Sequence, residues 1–285
     1  MFCVFLVFSR CFIDSNPIFV NLKTYYIINV RFFNLNPSSG GIVECSNNQN
    51  SVYVYQSLFD SCFTTLTALQ LSCTCFEIDN TVFVNLSTTS SYSMFNCEAS
   101  TSSIVSCICL TKSYKAQQST AIITGVSNIN SINSSNNWHS SVATSGIALY
   151  STGLKSMKYS CFENNHNSNY CVVHHWSTNS HLYKCSLINN SYDISHYGLY
   201  HNHYSTSSSE YVNFFRNKQS NLFSGSASSF TYCYSDDSSH LQATFQPSKI
   251  EHIFSNCSIN MNIKMASSVI SRGIVRLVFL IHFLY

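Results

Sequence analysis

Histidine is concentrated in one part of this 285-residue chain: seven of its 11 histidines fall between His166 and His203. Two runs, VVHHW at 172–176 and LYHNH at 199–203, carry most of that cluster. Setting Val172 over Leu199 places His174 over His201 and Trp176 over His203. Two stacked imidazoles, with His175 or His203 beside them, are a partial Zn²⁺ ligand set. No carboxylate or obvious thiolate completes it. A column of solvated imidazoles just past a buried strand accounts for the pattern without a metal, and no cofactor is expected.

Carboxylates are the second source of chemistry. Polysaccharide hydrolysis needs two of them in separate roles, one acid and one base. The chain has 12 acidic residues, and the adjacent pair Asp236-Asp237 in YSDDSS reads as a turn. Glu210 and Asp236 have a spacing that could stack them, but a register with Phe214 over Tyr234 takes them apart. No Ser-His-Asp set, P-loop or glycine-rich nucleotide signature is present. An enzyme is not expected. The 14 cysteines leave two readings open, disulfides or buried thiols acting as small hydrophobes. Cys73-x-Cys75 and Cys107-x-Cys109 lack a metal-ligand spacing; on a strand, i and i+2 share a face, so both pairs are expected to point into the core.

Composition and periodicity define the elements that would hold these residues. Charged residues make up 9% of the chain and aromatics 14%, against roughly 25% charged in ordinary soluble domains. With 21 Phe and 18 Tyr a sizeable core is available, and the surface must be neutral and polar. The net charge is +2, from 14 scattered Lys and Arg. No basic stripe exists to neutralise phosphates, which excludes a nucleic-acid partner.

Residues 1–15 include the apolar run Phe2–Phe8 and read as a signal peptide, or else as a first buried strand. Residues 263–285 form an apolar tail, too short to span a bilayer; it reads as a cap or as the start of a membrane anchor giving membrane association. Sequons stand at Asn85, Asn133, Asn189 and Asn256. Together these features place the protein outside the cell or at its surface.

Between the ends, two ladders share one period. The first runs Phe33, Phe59, Phe83, near Cys109, Ile132, Phe162, Leu187, Phe214, near Tyr234 and near Ile259. Its average step is about 25 residues, one supersecondary unit per step. Asparagines follow three residues on, at Asn36, Asn165, Asn190 and Asn217. The second runs Ile42, Leu69, Phe95, Ile122, Ile147, Val172 and Leu199, often with Gly or another small residue just before. The intervening runs, such as SVYVYQSLF and HLYKCSLI, are short, β-branched and aromatic with period-two alternation, and helical stripes are absent. The expectation is an all-β fold: a right-handed parallel β-helix over residues 16–262, with about 8–10 coils of about 25 residues. Like then stacks on like, apolar residues inside and asparagines at the turns.

These residues resemble the polymorphic membrane proteins of chlamydiae, and the protist surface proteins like them, which carry repeated GGAI and FxxN tetrapeptides on a right-handed β-helix of the pectin-lyase-like kind. Here GGIV stands at Gly40–Val43 and FxxN at Phe33–Asn36, Phe162–Asn165 and Phe214–Asn217, with LxxN at Leu187–Asn190. The repeats at Phe59 and Phe83 end in Cys62 and Leu86 instead. The resemblance implies surface display and adhesion, with glycans or host surface proteins as partners. The alternatives are a degenerate carbohydrate-active enzyme, as the pectin-lyase likeness would suggest, or a fragment of a larger membrane-anchored surface protein.

Overall fold

The computed structural model describes residues 24–236 except 29, 38–39, 89–93, 113–119, 126, 140–144, 151–153, 168–170, 177–178, 193–198, 203–205, 219–222 and 226–227; it also describes Val4–Leu6, Ile18–Phe19 and Thr244–Pro247. Among the described residues every element is a strand, and every named pairing is parallel. The alternation seen in the sequence explains why. In Ser51–Tyr55, Val52 and Val54 are buried while Tyr53 and Tyr55 are half-exposed, the pattern of a pleated strand with one wet face.

Each coil passes through three columns of strands. In the first, Ile18, Val43, Leu69, Phe95, Ala121, Ile147, Val173, Tyr200 and Phe223 lie over one another. The second stacks Ile27, Val54, Ile78, Val105, Ile129, Met157, Leu182, Ser209 and Phe230. The third stacks Phe32, Phe59, Phe83, Leu110, Ser134, Phe162, Leu187, Phe214 and Ser235. Short rungs beyond the third column pair Phe63–Thr64 with Ser87–Thr88, and Trp138–His139, His166–Asn167 and Ser191–Tyr192 in turn. The turns lie about 26 residues apart. This is a parallel β-helix, as the two ladders predict. Val4–Leu6 runs along Tyr25–Ile27 as a further rung.

The core fills the inside of the coils. Phe32, Phe59 and Phe83 are fully buried and stack with ring centroids 4.5 and 4.7 Å apart. Each such side chain contributes about 2–3 kcal/mol by leaving water, and the stacking adds about 1 kcal/mol per pair.

Among the described residues, corners after the second and third columns turn through the left-handed region. After the second column these residues are Gln56, Asn80, Ser131, Tyr159, Lys184, Tyr211 and Tyr232; after the third they are Asn34, Ser61, Asn85, Lys112, Asn136, Asn164, Asn189 and Arg216. Asn tolerates this conformation better than other L-residues because its short amide can bond locally, and it fills five of the eight positions at the second corner. The asparagine pairs are thereby divided. Asn164 and Asn189 make the turn and are exposed, while Asn165 and Asn190 point inward and are fully buried.

The structure corrects several register assignments by one or two residues. Phe33 is 43% exposed, and its neighbour Phe32 occupies the column; Leu35, not the exposed Asn36, takes the position three residues on. Strand runs of two adjacent phenylalanines do not say which one faces in. Leu110, Ser134 and Ser235 replace Cys109, Ile132 and Tyr234. Ile42, Val172 and Leu199 are buried, but one residue ahead of the positions that stack on Leu69, Phe95 and Ile147, which are Val43, Val173 and Tyr200. Ala121 likewise replaces Ile122. Gly146 shows why small residues precede this column. A Cβ there would meet the Val172 carbonyl oxygen at 2.4 Å and Phe162 Cδ1 at 2.7 Å. Cys73 is buried, but Cys75 and Cys109 are half-exposed. The strand Leu69–Asp79 bends between two columns at Thr74, so its alternation changes phase there; Cys109 lies between the inward Ile108 and Leu110. Ile259, Asn256, His203 and residues 263–285 lie outside the described residues.

Candidate functional site

His174 does lie over His201, as the sequence register implies. The imidazole centroids are 5.1 Å apart, and both side chains are buried. The outward column holding them runs Ala148, His174, His201. Tyr150 and Trp176 close over it: the Tyr150 ring meets His174 edge-on at 5.6 Å, and the Trp176 ring does so at 5.8 Å. The pair is therefore packed in an aromatic cluster instead of standing in solvent. No group of three or more His, Cys, Asp or Glu that could hold a metal occurs among the described residues. His175 is one position further along the strand, over Asn202 and under Leu149.

The carboxylates are dispersed. Glu210 lies over Thr231, not Asp236. Asp236 instead accepts a hydrogen bond from the Arg216 backbone N–H at 2.8 Å. Sequence reading passed over Glu77 and Asp79, whose i, i+2 spacing on a strand puts both on one outward face; the motif E-x-D in an alternating run was the available signal. Glu77 is bonded by Tyr55, and Asp79 accepts from Ser106 Oγ at 2.5 Å. Both are half-buried.

Most of the described thiols are buried. Nine described cysteines are free, seven of them buried, and Cys161 is disulfide-bonded. Burial pushes the Cys62 and Cys233 thiols up to about 11 and those of Cys73 and Cys185 to about 12. These four are protonated at neutral pH, the form that burial favours.

The asparagine column is complete in itself. Asn137 Nδ2 donates to Asn165 Oδ1 at 2.9 Å, Asn165 Nδ2 to Asn190 Oδ1 at 3.2 Å, and Asn190 Nδ2 to Asn217 Oδ1 at 3.1 Å. The same amides donate back to the carbonyls of Leu110, Ser134 and Phe162. Each Oδ1 also accepts the backbone N–H of the asparagine before it. Every donor of the inner members is used, so the ladder binds the coils together and offers nothing to a ligand.

One surface feature is built otherwise. Tyr159, Tyr211 and Tyr232 occupy left-handed corner positions, with φ of 51°, 55° and 53°. A bulky side chain there costs roughly 1–2 kcal/mol per residue, a cost that asparagine reduces at the neighbouring corner. With Tyr183 they form a continuous column. Centroids of Tyr159 and Tyr183, and of Tyr183 and Tyr211, lie 5.8 Å apart and edge-on; Tyr211 and Tyr232 stack at 5.1 Å. Lys184 Nζ sits 5.8 Å from the Tyr159 centroid and 5.3 Å from that of Tyr183. The ends of the column, Tyr159 at 44% and Tyr232 at 46%, are among the most exposed large side chains described. Strained positions held by the surrounding fold tend to mark function.

The fold defines the class: a parallel β-helix solenoid. No protein-family model matches the chain, and neither a curated protein nor a solved structure matches it.

Proposed function

We propose that this protein is a non-catalytic, secreted or cell-surface β-helix that binds glycans along its tyrosine column. The observation that carries the reading is the left-handed backbone at Tyr159, Tyr211 and Tyr232. Asn suits that conformation better than Tyr, and the three rings at these corners line one edge of the solenoid. A column of rings and phenol hydroxyls matches a sugar chain, which has an apolar C–H face and a hydroxyl rim. Lys184, lying over two of the rings, adds a hydrogen-bond donor.

Kinship with the polymorphic-membrane-type surface proteins belongs to the same proposal. It is supported by the units Phe162–Asn165, Leu187–Asn190 and Phe214–Asn217, whose two ends occupy the same two columns. Surface display is supported by the sequons and the apolar start.

The test is binding of the purified chain to a panel of soluble oligosaccharides, compared with the triple variant Tyr159→Asn, Tyr211→Asn, Tyr232→Asn. Because Asn suits the left-handed corner, the variant should be as stable as the parent or more so, by up to about 1 kcal/mol per site. Its glycan affinity should fall at least tenfold. Undiminished binding by the variant would move the site elsewhere. A parent that binds host-cell proteins but no glycan would replace the ligand class.

A further inference from the structure

The corner after the third column carries a second kind of information. Asn85 and Asn189 are both exposed there, both in the left-handed turn, and both open a sequon, Asn85-Leu86-Ser87 and Asn189-Asn190-Ser191. Their backbone N–H groups are bonded to the next coil, to Thr111 O and Phe215 O. Their side chains are exposed. Asn133 also opens a sequon, Asn133-Ser134-Ser135, but its setting is different. It lies mid-strand between Cys109 and Cys161 and is 7% exposed, and the next residue, Ser134, is fully buried in the core column. A glycan on Asn133 would have to displace the groups that bury its side chain.

We propose that Asn85 and Asn189 are N-glycosylation sites and that Asn133 is not. This rests on the secreted or surface reading above. The two acceptors are four rungs apart on one edge, through Lys112, Asn136 and Asn164, which at the spacing of parallel strands is roughly 19 Å. Both glycans would therefore project from a single line of the solenoid. That line is separated from the tyrosine corner by one three-residue strand, such as Ser186–Ile188. The modification joins the reducing-end carbon of a preassembled oligosaccharide to Asn Nδ2; a lipid diphosphate leaves as the amide proton is lost, and no oxidant or reductant is involved. Since the transfer occurs on the extended nascent chain, Asn133 can be reached before folding. A chain modified there could not close its coil, so the folded secreted population should lack it.

The test expresses the full chain behind a heterologous cleavable signal peptide in a eukaryotic cell, with Ser258→Ala removing the fourth sequon. The monodisperse secreted fraction is digested with peptide N-glycosidase, and sites are mapped by the Asn-to-Asp mass change. Glycan at Asn85 and Asn189, with Asn133 unmodified, is the expected result. Ser87→Ala and Ser191→Ala should each remove one mobility step and together remove both; they leave the left-handed asparagines in place, which Asn→Gln would not. Glycan at Asn133 in the folded fraction, or an empty Asn85 or Asn189, would overturn the assignment. A parallel expression from the chain's own start separates the two claims. The expected occupancy with the grafted signal but no secretion from the native start would sink the surface reading and leave the site assignment standing.

Discussion

The two halves of the solenoid solve the same packing problem with different chemistry. Near the N-terminal end the corner inside the third column is apolar, with Leu35, Cys62 and Leu86 at equivalent positions; towards the C-terminal end the same position is Asn137, Asn165, Asn190 and Asn217. One register column of the second strands changes in parallel, from Tyr25, Val52 and Phe76 through Ser103, Ser127 and Lys155 to Ser180 and Ser207. The first half is held by stacked phenylalanines. The second is held by amide and hydroxyl bonds, including Ser180 Oγ with the buried Tyr200 hydroxyl at 3.0 Å. Apolar packing tolerates small shifts along the axis, whereas a bonded ladder has one register. The tyrosine column lies on the half whose register is fixed by bonds, where a surface needing repeated spacing is best supported.

The contrast can be broken most severely at Asn190. Replacing it with Leu imports the residue of the first half into the second. Asn165 then loses the acceptor for its backbone N–H and its amide, and the Phe162 carbonyl loses a donor. At about 1–3 kcal/mol for each buried group left unmet, urea unfolding should report a loss of about 4 kcal/mol. Leu86→Ala makes the matching cut in the first half. It removes only buried methyl groups, so the same measurement should show about 3 kcal/mol, set by the cavity. If Leu86→Ala proved the costlier of the two, the distinction between the halves would fail.

Buried thiols in both halves add a shared pH dependence. Folding raises the Cys73 and Cys185 pKa values from the ordinary 9.0 to about 12 because burial disfavours the thiolate. Their contribution is complete below pH 9.0 and is lost as pH rises through that window towards 12. Stability measured at increasing alkalinity should therefore decline from about pH 9, and Cys185→Ala should make the decline shallower. The smallest effect separates two adjacent residues. Asn189→Ala, at the exposed left-handed turn, should cost about 1 kcal/mol and Asn189→Gly almost nothing, although the neighbouring Asn190 is worth several times more.

The period and the parallel β-helix were legible because like residues recur every 25 to 27 positions. The Asn164-Asn165 and Asn189-Asn190 pairs pointed to stacking at the turns, and the structure assigns each member a separate task. The one-residue offsets at Phe33 and Ile42 were not legible, since adjacent apolar residues such as Phe32-Phe33 and Ile42-Val43 satisfy either phase. The His174 and His201 stacking was readable from their register. Their burial was not, because it depends on Tyr150 and Trp176 folding over them from the same and the adjacent rung. The tyrosine column escaped notice because its members sit at two different positions of the repeat, and only corner geometry brings them together.

The most direct test of the account is a double-mutant cycle on Asn165 and Asn190, each replaced by Ala, with unfolding free energies from urea titration. Residues 25 apart in sequence are coupled only if they stack. The account predicts an interaction energy of roughly 1–3 kcal/mol between them. Additivity to within about 0.5 kcal/mol would mean that the amides do not meet, and would contradict the ladder and the register built on it.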